Sequence, residues 1–324
     1  MTRNKTIVFA FGGNAITRED QQGFFEEQLE NIEKSCGQVL ELARMGYRMV
    51  ITHGNGPQVG SLLIKNDLAK DHVPSMPLYV CVANTQGSIG YAIQQTLQWM
   101  LKEAGINREV ASIITQVEVD VDDVGFANPT KPIGPFFSES RAQEMMTKEG
   151  YAMREDSGRG WRRVVASPQP RGIVEKNVIK ALADAGVIVV AVGGGGVPVI
   201  AHGKGFQGIE AVIDKDRASQ RLASDMGADY LIMLTGVPKV YLDFKKPSQR
   251  ALDRLTVSEA KEFMKRGHFP GGSMGPKIEA SINFVEQGRG TAIITDFESM
   301  ASALRGENGT RIVSDQVSIP LKRE

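Results

Sequence analysis

Thr6-Ile7-Val8-Phe9-Ala10-Phe11-Gly12-Gly13-Asn14 decides the fold class. Six uncharged residues with no polar alternation read as a strand buried on both faces, and the glycine pair breaks it at once. Downstream, Phe25, Leu29, Ile32, Cys36, Val39 and Ala43 recur at steps of four and three, the stripe of a helix that Gly46 stops. Tyr47 to Thr52 is a second apolar strand, and it runs into His53-Gly54-Asn55-Gly56-Pro57, with Pro57 suited to a first helical turn. Strand, helix, strand and glycine turn together make a βαβ unit.

The alternation continues along the chain. A helix is expected from about Thr85 to Ala104 with its stop at Gly105, then a strand from Val110 to Thr115. Val187 to Val192 runs into Gly193-Gly194-Gly195-Gly196, Ala211-Val212-Ile213 reads as a strand before a helix, and Tyr230 to Thr235 runs into Gly236. Pro276 to Gln287 and Thr291 to Thr295 add a last helix and strand. Between them, Val121 to Pro135 loses all periodicity and is stiffened by Pro129, Pro132 and Pro135. A short helix after Ser138 and a β-like stretch from Trp161 to Val165 follow, so residues 124–168 read as a protrusion. The expected fold is α/β: a three-layer αβα sandwich with a mostly parallel central sheet and a small protruding subdomain. Ligands of such sheets collect at the carboxyl ends of the strands.

Composition narrows the function. With 324 residues the chain is long enough for one large α/β unit or two lobes. Lys and Arg total 38 and so do Asp and Glu, so no basic surface points to nucleic acid or acidic lipid. No apolar run reaches the roughly 18 residues of a membrane span, and no basic-plus-apolar leader precedes Thr6. Cys36 and Cys81 cannot build a disulfide framework. A chain in a reducing cytoplasm is expected.

Three strands end in glycine clusters, at Gly12-Gly13, Gly54/Gly56 and Gly193 to Gly196, where backbone N–H groups can approach an anion. Three at one sheet edge point to a polyphosphate. There is no G-x-x-x-x-G-K-[ST], and Gly54 to Gly60 only imitates a dinucleotide fingerprint, because Asp67 and Asp71 precede the next apolar segment. Gly271-Gly272-Ser273-Met274-Gly275 satisfies G-x-S-x-G, but no buried strand precedes the serine and no histidine follows it. His53, His72, His202 and His268 lack metal-ligand spacing and read as surface or loop residues.

Lysines have more informative addresses. Lys215 stands where Asp214 could cap a helix, and Lys277 follows Pro276 at another helix start. A cation there adds to the positive helix end unless an anion neutralises it. Lys131 sits between Pro129 and Pro132, where little chain entropy remains to be lost on clamping a ligand. Asp214 or Asp216 would hold these ammonium groups, and Mg²⁺ would bridge nucleotide phosphates with few protein ligands. An acceptor that is already an anionic carboxylate or carbamate needs no general base, which fits the lack of a catalytic histidine.

Gly12-Gly13-Asn14-Ala15, Thr52 to Gly60, Asn128-Pro129-Thr130-Lys131-Pro132-Ile133-Gly134, Gly158 to Val165, Gly193 to Pro198, Ala211 to Asp216 and Gly272 to Lys277 together resemble the carbamate kinase family. The similarity covers about residues 5–313. It implies one continuous amino-acid kinase domain, with residues 1–203 as the phosphoryl-acceptor lobe, 204–324 as the nucleotide lobe, and a homodimer. It also implies Mg²⁺-dependent interconversion of ADP plus carbamoyl phosphate with ATP plus carbamate, often in arginine or purine breakdown. Gly12, Gly13, Asn14, Gly54, Asn55 and Gly56 would line the transferring phosphoryl and carbamate groups. Lys131 would reach in from the protrusion. Lys215, Lys277, Gly193, Gly194, Gly195 and Thr235 would serve the nucleotide, ordered by Asp214 or Asp216, and the protein itself would hold no metal directly. Gly236 stands where many amino-acid kinases carry aspartate.

Overall fold

The computed structural model describes residues 4–12, 15–18, 21–156, 158–269, 274–288 and 290–316. The chain runs through β1 (Thr6–Phe11), α1 (Phe25–Arg44), β2 (Arg48–His53), α2 (Gly56–Ala69), α3 (Leu78–Glu103), β3 (Val110–Ser112) and β4 (Gln116–Val119). An excursion follows: α4 (Val124–Ala127), β5 (Lys131–Phe137), α5 (Glu139–Glu149), β6 (Met153–Glu155) and β7 (Trp161–Val165). The body resumes with β8 (Pro170–Ile173), α6 (Lys176–Asp184), β9 (Ile188–Val190), a 3-10 turn at Gly193–Gly195, β10 (Val197–His202), β11 (Gly205–Gly208), α7 (Lys215–Met226) and β12 (Tyr230–Leu234). It ends with β13 (Val240–Leu242), β14 (Arg250–Leu252), β15 (Arg254–Thr256), α8 (Val257–Lys265), α9 (Met274–Gln287), β16 (Thr291–Thr295), α10 (Met300–Arg305) and β17 (Thr310–Val313).

Eight strands form the central sheet in the order β15-β17-β16-β12-β1-β2-β9-β3. All neighbours are parallel except β16 and β17. The strands are apolar throughout because both faces are covered. Val8, Val50, Val189, Leu231 and Ala292 pack with residues of α6, α7, α8 and α9. Their neighbours Ile7, Phe9, Met49, Ile51, Ile232 and Ile293 pack instead with α1, α3 and α10. Each fully buried aliphatic or aromatic side chain contributes roughly 1.5–3 kcal/mol, so these two cores hold the three layers together.

The excursion is a three-stranded sheet, β5-β7-β6, beside α5, with its own small core of Ala142, Met145 and Met153. Ser138 caps α5 by accepting the Arg141 N–H. Ile133 of β5 packs against Val59 and Leu63 of α2. Gly60 and Gly134 meet backbone to backbone, since a Cβ on Gly60 would lie 1.9 Å from the Gly134 Cα.

Several sequence expectations need correction. Ala211-Val212-Ile213 is not a strand but a buried segment outside every sheet, tied by the Val212 N–H to the Ala166 carbonyl at 3.0 Å. The stretch after Val121 is not irregular throughout: β5 forms across Pro132 and Pro135, tolerated because β5 is an edge strand with a register break between Ile133 and Phe137. α3 starts at Leu78, seven residues before the expected Thr85, with Pro77 at its N-cap. A second sheet, β11-β10-β4-β8, was not anticipated. No helix among the described residues is long and apolar enough to cross a membrane.

Candidate active site

A cavity of about 810 Å³ opens at the carboxyl ends of the parallel strands. Gly12 after β1, Gly54, Asn55 and Gly56 after β2, Gly194 after β9, and Thr235 and Gly236 after β12 all line it. So do Lys131, Asp214, Lys215, Asp216 and Lys277. Gly13 and Asn14 lie outside the described residues, as do Gly271, Gly272 and Ser273.

The three lysines arrive from three segments and meet on two carboxylates. Lys131 Nζ donates to Asp214 Oδ2 at 2.6 Å. Lys215 Nζ donates to Asp216 Oδ1 at 3.2 Å, and Lys277 Nζ to Asp216 Oδ2 at 2.8 Å. Asp214 is also the N-cap of α7, accepting the Asp216 N–H at 2.9 Å and the Arg217 N–H. One short sequence therefore supplies the cap, two carboxylates and a cation. Lys277 stands four residues into α9, where Ser281 Oγ donates to its carbonyl at 2.7 Å; Ser219 Oγ does the same for Lys215 at 2.6 Å.

Burial and charge oppose each other here. Burial alone would raise the Asp216 carboxyl, but Lys215 and Lys277 hold it well below the carboxylate range. Burial likewise works against ionised Asp214, and Lys131 more than offsets it, so its pKa is lowered too. The Lys215 ammonium is pushed down, first by burial, against the pull of Asp216. The side chains of Lys131, Lys215 and Lys277 are 27%, 17% and 11% exposed, so all three ammonium groups are confined yet reachable from the cavity.

Gly54 forms a floor beneath Lys215, whose Cδ would lie 3.3 Å from any Cβ added there. Asn55 donates to Thr85 Oγ1 at 2.8 Å. The sequence groups the 3-10 turn at Gly193–Gly195 with Thr235, and the structure sets the two apart. Because β9 neighbours β2 and two strands separate it from β12, the turn sits with Gly54 and Asn55, away from Thr235. Gly194 lines the cavity at φ +63°, with the Asn55 amide in the space a side chain would need. Gly193 and Gly195 pack behind it, against the His53 ring and the Ile213 carbonyl.

His53 is no loop histidine. It is buried at the end of β2, its Nδ1 is 2.9 Å from the Gly54 carbonyl, and burial pushes its pKa down to about 4. Sequence reasoning also missed Arg18, Lys34, Phe297 and Glu298 along the cavity, and it gave no role to Gln58 or Arg162, which lie inside motifs already singled out.

Comparison with known proteins supplies the family. Residues 5–296 match the amino acid kinase family. Carbamate kinase of Pyrococcus furiosus is 46% identical over 95% of this chain and 99% of its own. Carbamate kinase-like protein YqeA of Escherichia coli is 47% identical over 95% and 99%. The structure of carbamate kinase from Giardia lamblia bound to AMP-PNP superposes with a TM-score of 0.90 at 41% identity, covering 97% of this chain and all of that one. The chain belongs to the amino acid kinase family, among the carbamate kinases.

Proposed function

We infer that the protein transfers a phosphoryl group reversibly between carbamoyl phosphate and ADP, giving ATP and carbamate. The observation that supports this most directly is the meeting of Lys131, Lys215 and Lys277 on Asp214 and Asp216 in one glycine-walled cavity. Fixed ammonium groups stabilise charge on a migrating phosphoryl group without reorganising, and positioning of this kind is most of what such a transfer requires. Asp214 and Asp216 keep the ammonium groups charged and aimed. Since the leaving carbamate is stable as an anion, no residue has to move a proton.

Mg²⁺ belongs to the same reading. In the cavity, Asp214 and Asp216 already accept ammonium groups. The donor set therefore fits an ion delivered on nucleotide phosphates, with Asp214 and Asp216 as the nearby carboxylates. Mg²⁺ bound with the nucleotide would neutralise phosphate charge beside Asp214 and Asp216. A cytoplasmic homodimer completes the proposal: β3 is an edge strand, and Tyr91, Trp99 and Ile114 are exposed beside it.

A luciferase-coupled assay tests the function. ADP, Mg²⁺ and carbamoyl phosphate should yield ATP, and chelation of the metal should stop the reaction without lowering the thermal midpoint. No ATP from carbamoyl phosphate with any divalent ion removes the proposal; faster turnover with acetyl phosphate reassigns the acceptor. Sedimentation as a monomer would remove the dimer.

A further inference from the structure

Gly54, Asn55 and Gly56 line the cavity, but the residue before them does not. His53 ends β2 behind this turn and is 1% exposed. Its Nδ1 lies 2.9 Å from the Gly54 carbonyl oxygen, which can only accept, so the ring carries its proton on Nδ1 and donates it. Burial pushes the imidazole down to about 4, which keeps the ring neutral and this tautomer in place near pH 7. The ring has no room to swing away. A Cβ on Gly193 would lie 2.3 Å from His53 Nε2 and 3.1 Å from Gln86 Cγ, so both side chains crowd one face of that glycine. Gln86 is itself fixed, its amide donating to the Thr115 carbonyl at 3.0 Å and accepting the Thr115 N–H at 2.8 Å.

The carbonyl and the N–H of a trans peptide point in opposite directions. With the Gly54 carbonyl drawn toward a ring outside the cavity, the Asn55 N–H of the same peptide is turned the other way, to the cavity side. Asn55 is 4% exposed, its N–H meets no acceptor among the described residues, and its side chain bonds Thr85 instead of capping α2. A buried N–H without a partner is rare and costly unless a ligand completes it. We propose that His53 is a positioning residue, which holds the Gly54–Asn55 peptide so that the Asn55 N–H is aimed at the oxygen on which charge develops during transfer; this rests on the function proposed above. In that step the bond between phosphorus and the carbamate oxygen breaks, its electron pair stays on that oxygen, and phosphorus bonds to an ADP β-phosphate oxygen. A donor fixed beforehand stabilises the new charge without reorganising. His53 touches neither substrate and moves no proton.

Two substitutions separate positioning from packing. Asn places its amide nitrogen near the Nδ1 position, whereas Gln places its own near Nε2, away from the Gly54 carbonyl. Both remove the ring, so the thermal midpoints of His53→Asn and His53→Gln should fall together. Turnover should split them. In His53→Gln, kcat should drop roughly 100-fold, as when one donor to a transition-state oxyanion is lost, with KM for ADP within about threefold of wild type. His53→Asn should regain at least about tenfold of that loss in kcat. Amide NMR spectra add a reading that needs no turnover: the Asn55 signal should move in His53→Gln and hold its place in His53→Asn. Equal kcat losses in the two variants, a rise in KM for ADP in place of the fall in kcat, or the same Asn55 signal in both would overturn the inference. A wild-type protein that makes no ATP from carbamoyl phosphate would instead overturn the function itself, while the Asn55 signal would still decide whether His53 sets this peptide.

Discussion

Acidification should loosen the floor of the active site before it touches the lysine–carboxylate cluster. His53 has an ordinary pKa of 6.5 and a folded value of about 4, set by burial. Between those values the unfolded chain binds a proton that the folded one refuses, so stability is complete above pH 6.5 and declines as pH falls toward about 4. At 1.36 kcal/mol per pH unit the whole window is worth about 3 kcal/mol, of which about 2.5 is lost by pH 4.5. Asp214 and Asp216 have depressed values, so their contribution persists down to the unfolded carboxylate range and is lost below it. The two effects occupy different pH windows. His53→Asn keeps a donor toward the Gly54 carbonyl and has no titration here. Urea unfolding of both proteins at several pH values between about 7 and 4.5 should show wild-type stability falling about 2.5 kcal/mol further than that of the variant. Parallel curves would refute the assignment of acid sensitivity to His53.

Other substitutions separate charge from scaffold. Lys131→Ala should lower kcat by roughly 100-fold or more, with a modest fall in thermal midpoint because Asp214 loses the cation that offsets its burial and keeps its α7 cap hydrogen bonds; wild-type turnover would remove it from the site. Lys277→Met leaves Asp216 with one cation instead of two in a buried setting, so it should both abolish turnover and cost about 3 kcal/mol in urea unfolding. Gly60→Ala places a Cβ 1.9 Å from the Gly134 Cα, with backbone on both sides and nothing flexible to yield. It should part β5 from α2, costing about 2 kcal/mol or more and disturbing Lys131 and Arg162 together, seen as a loss in kcat/KM for carbamoyl phosphate. Full activity in Gly60→Ala would show that the protrusion does not need this contact.

The βα alternation, the strands buried on both faces and the glycine turns at their ends were legible because each is written in consecutive residues. Period two, period three to four and a terminal glycine are local signals, and β1, α1, β2 and β12 follow them closely. Lys215 and Lys277 were recognisable from their places near helix starts, and Lys131 from its flanking prolines. The early start of α3, the course of β5 through two prolines and the second sheet were not legible: each depends on neighbours distant in sequence. Ala211-Val212-Ile213 shows the same limit, since its apolar run is buried without a strand partner and only tertiary packing separates those cases.

By itself, then, the order of residues determined the layers, the edge of the sheet where ligands gather, and the residue types available for phosphoryl chemistry. The tertiary structure decided which carboxylate each lysine meets, that Gly193 and Gly195 support the cavity from behind, that His53 is buried beneath it, and that Arg162 faces into it. Backbone periodicity is encoded over a few residues, whereas the pairing of charges depends on distances closed only when segments far apart in the chain pack together.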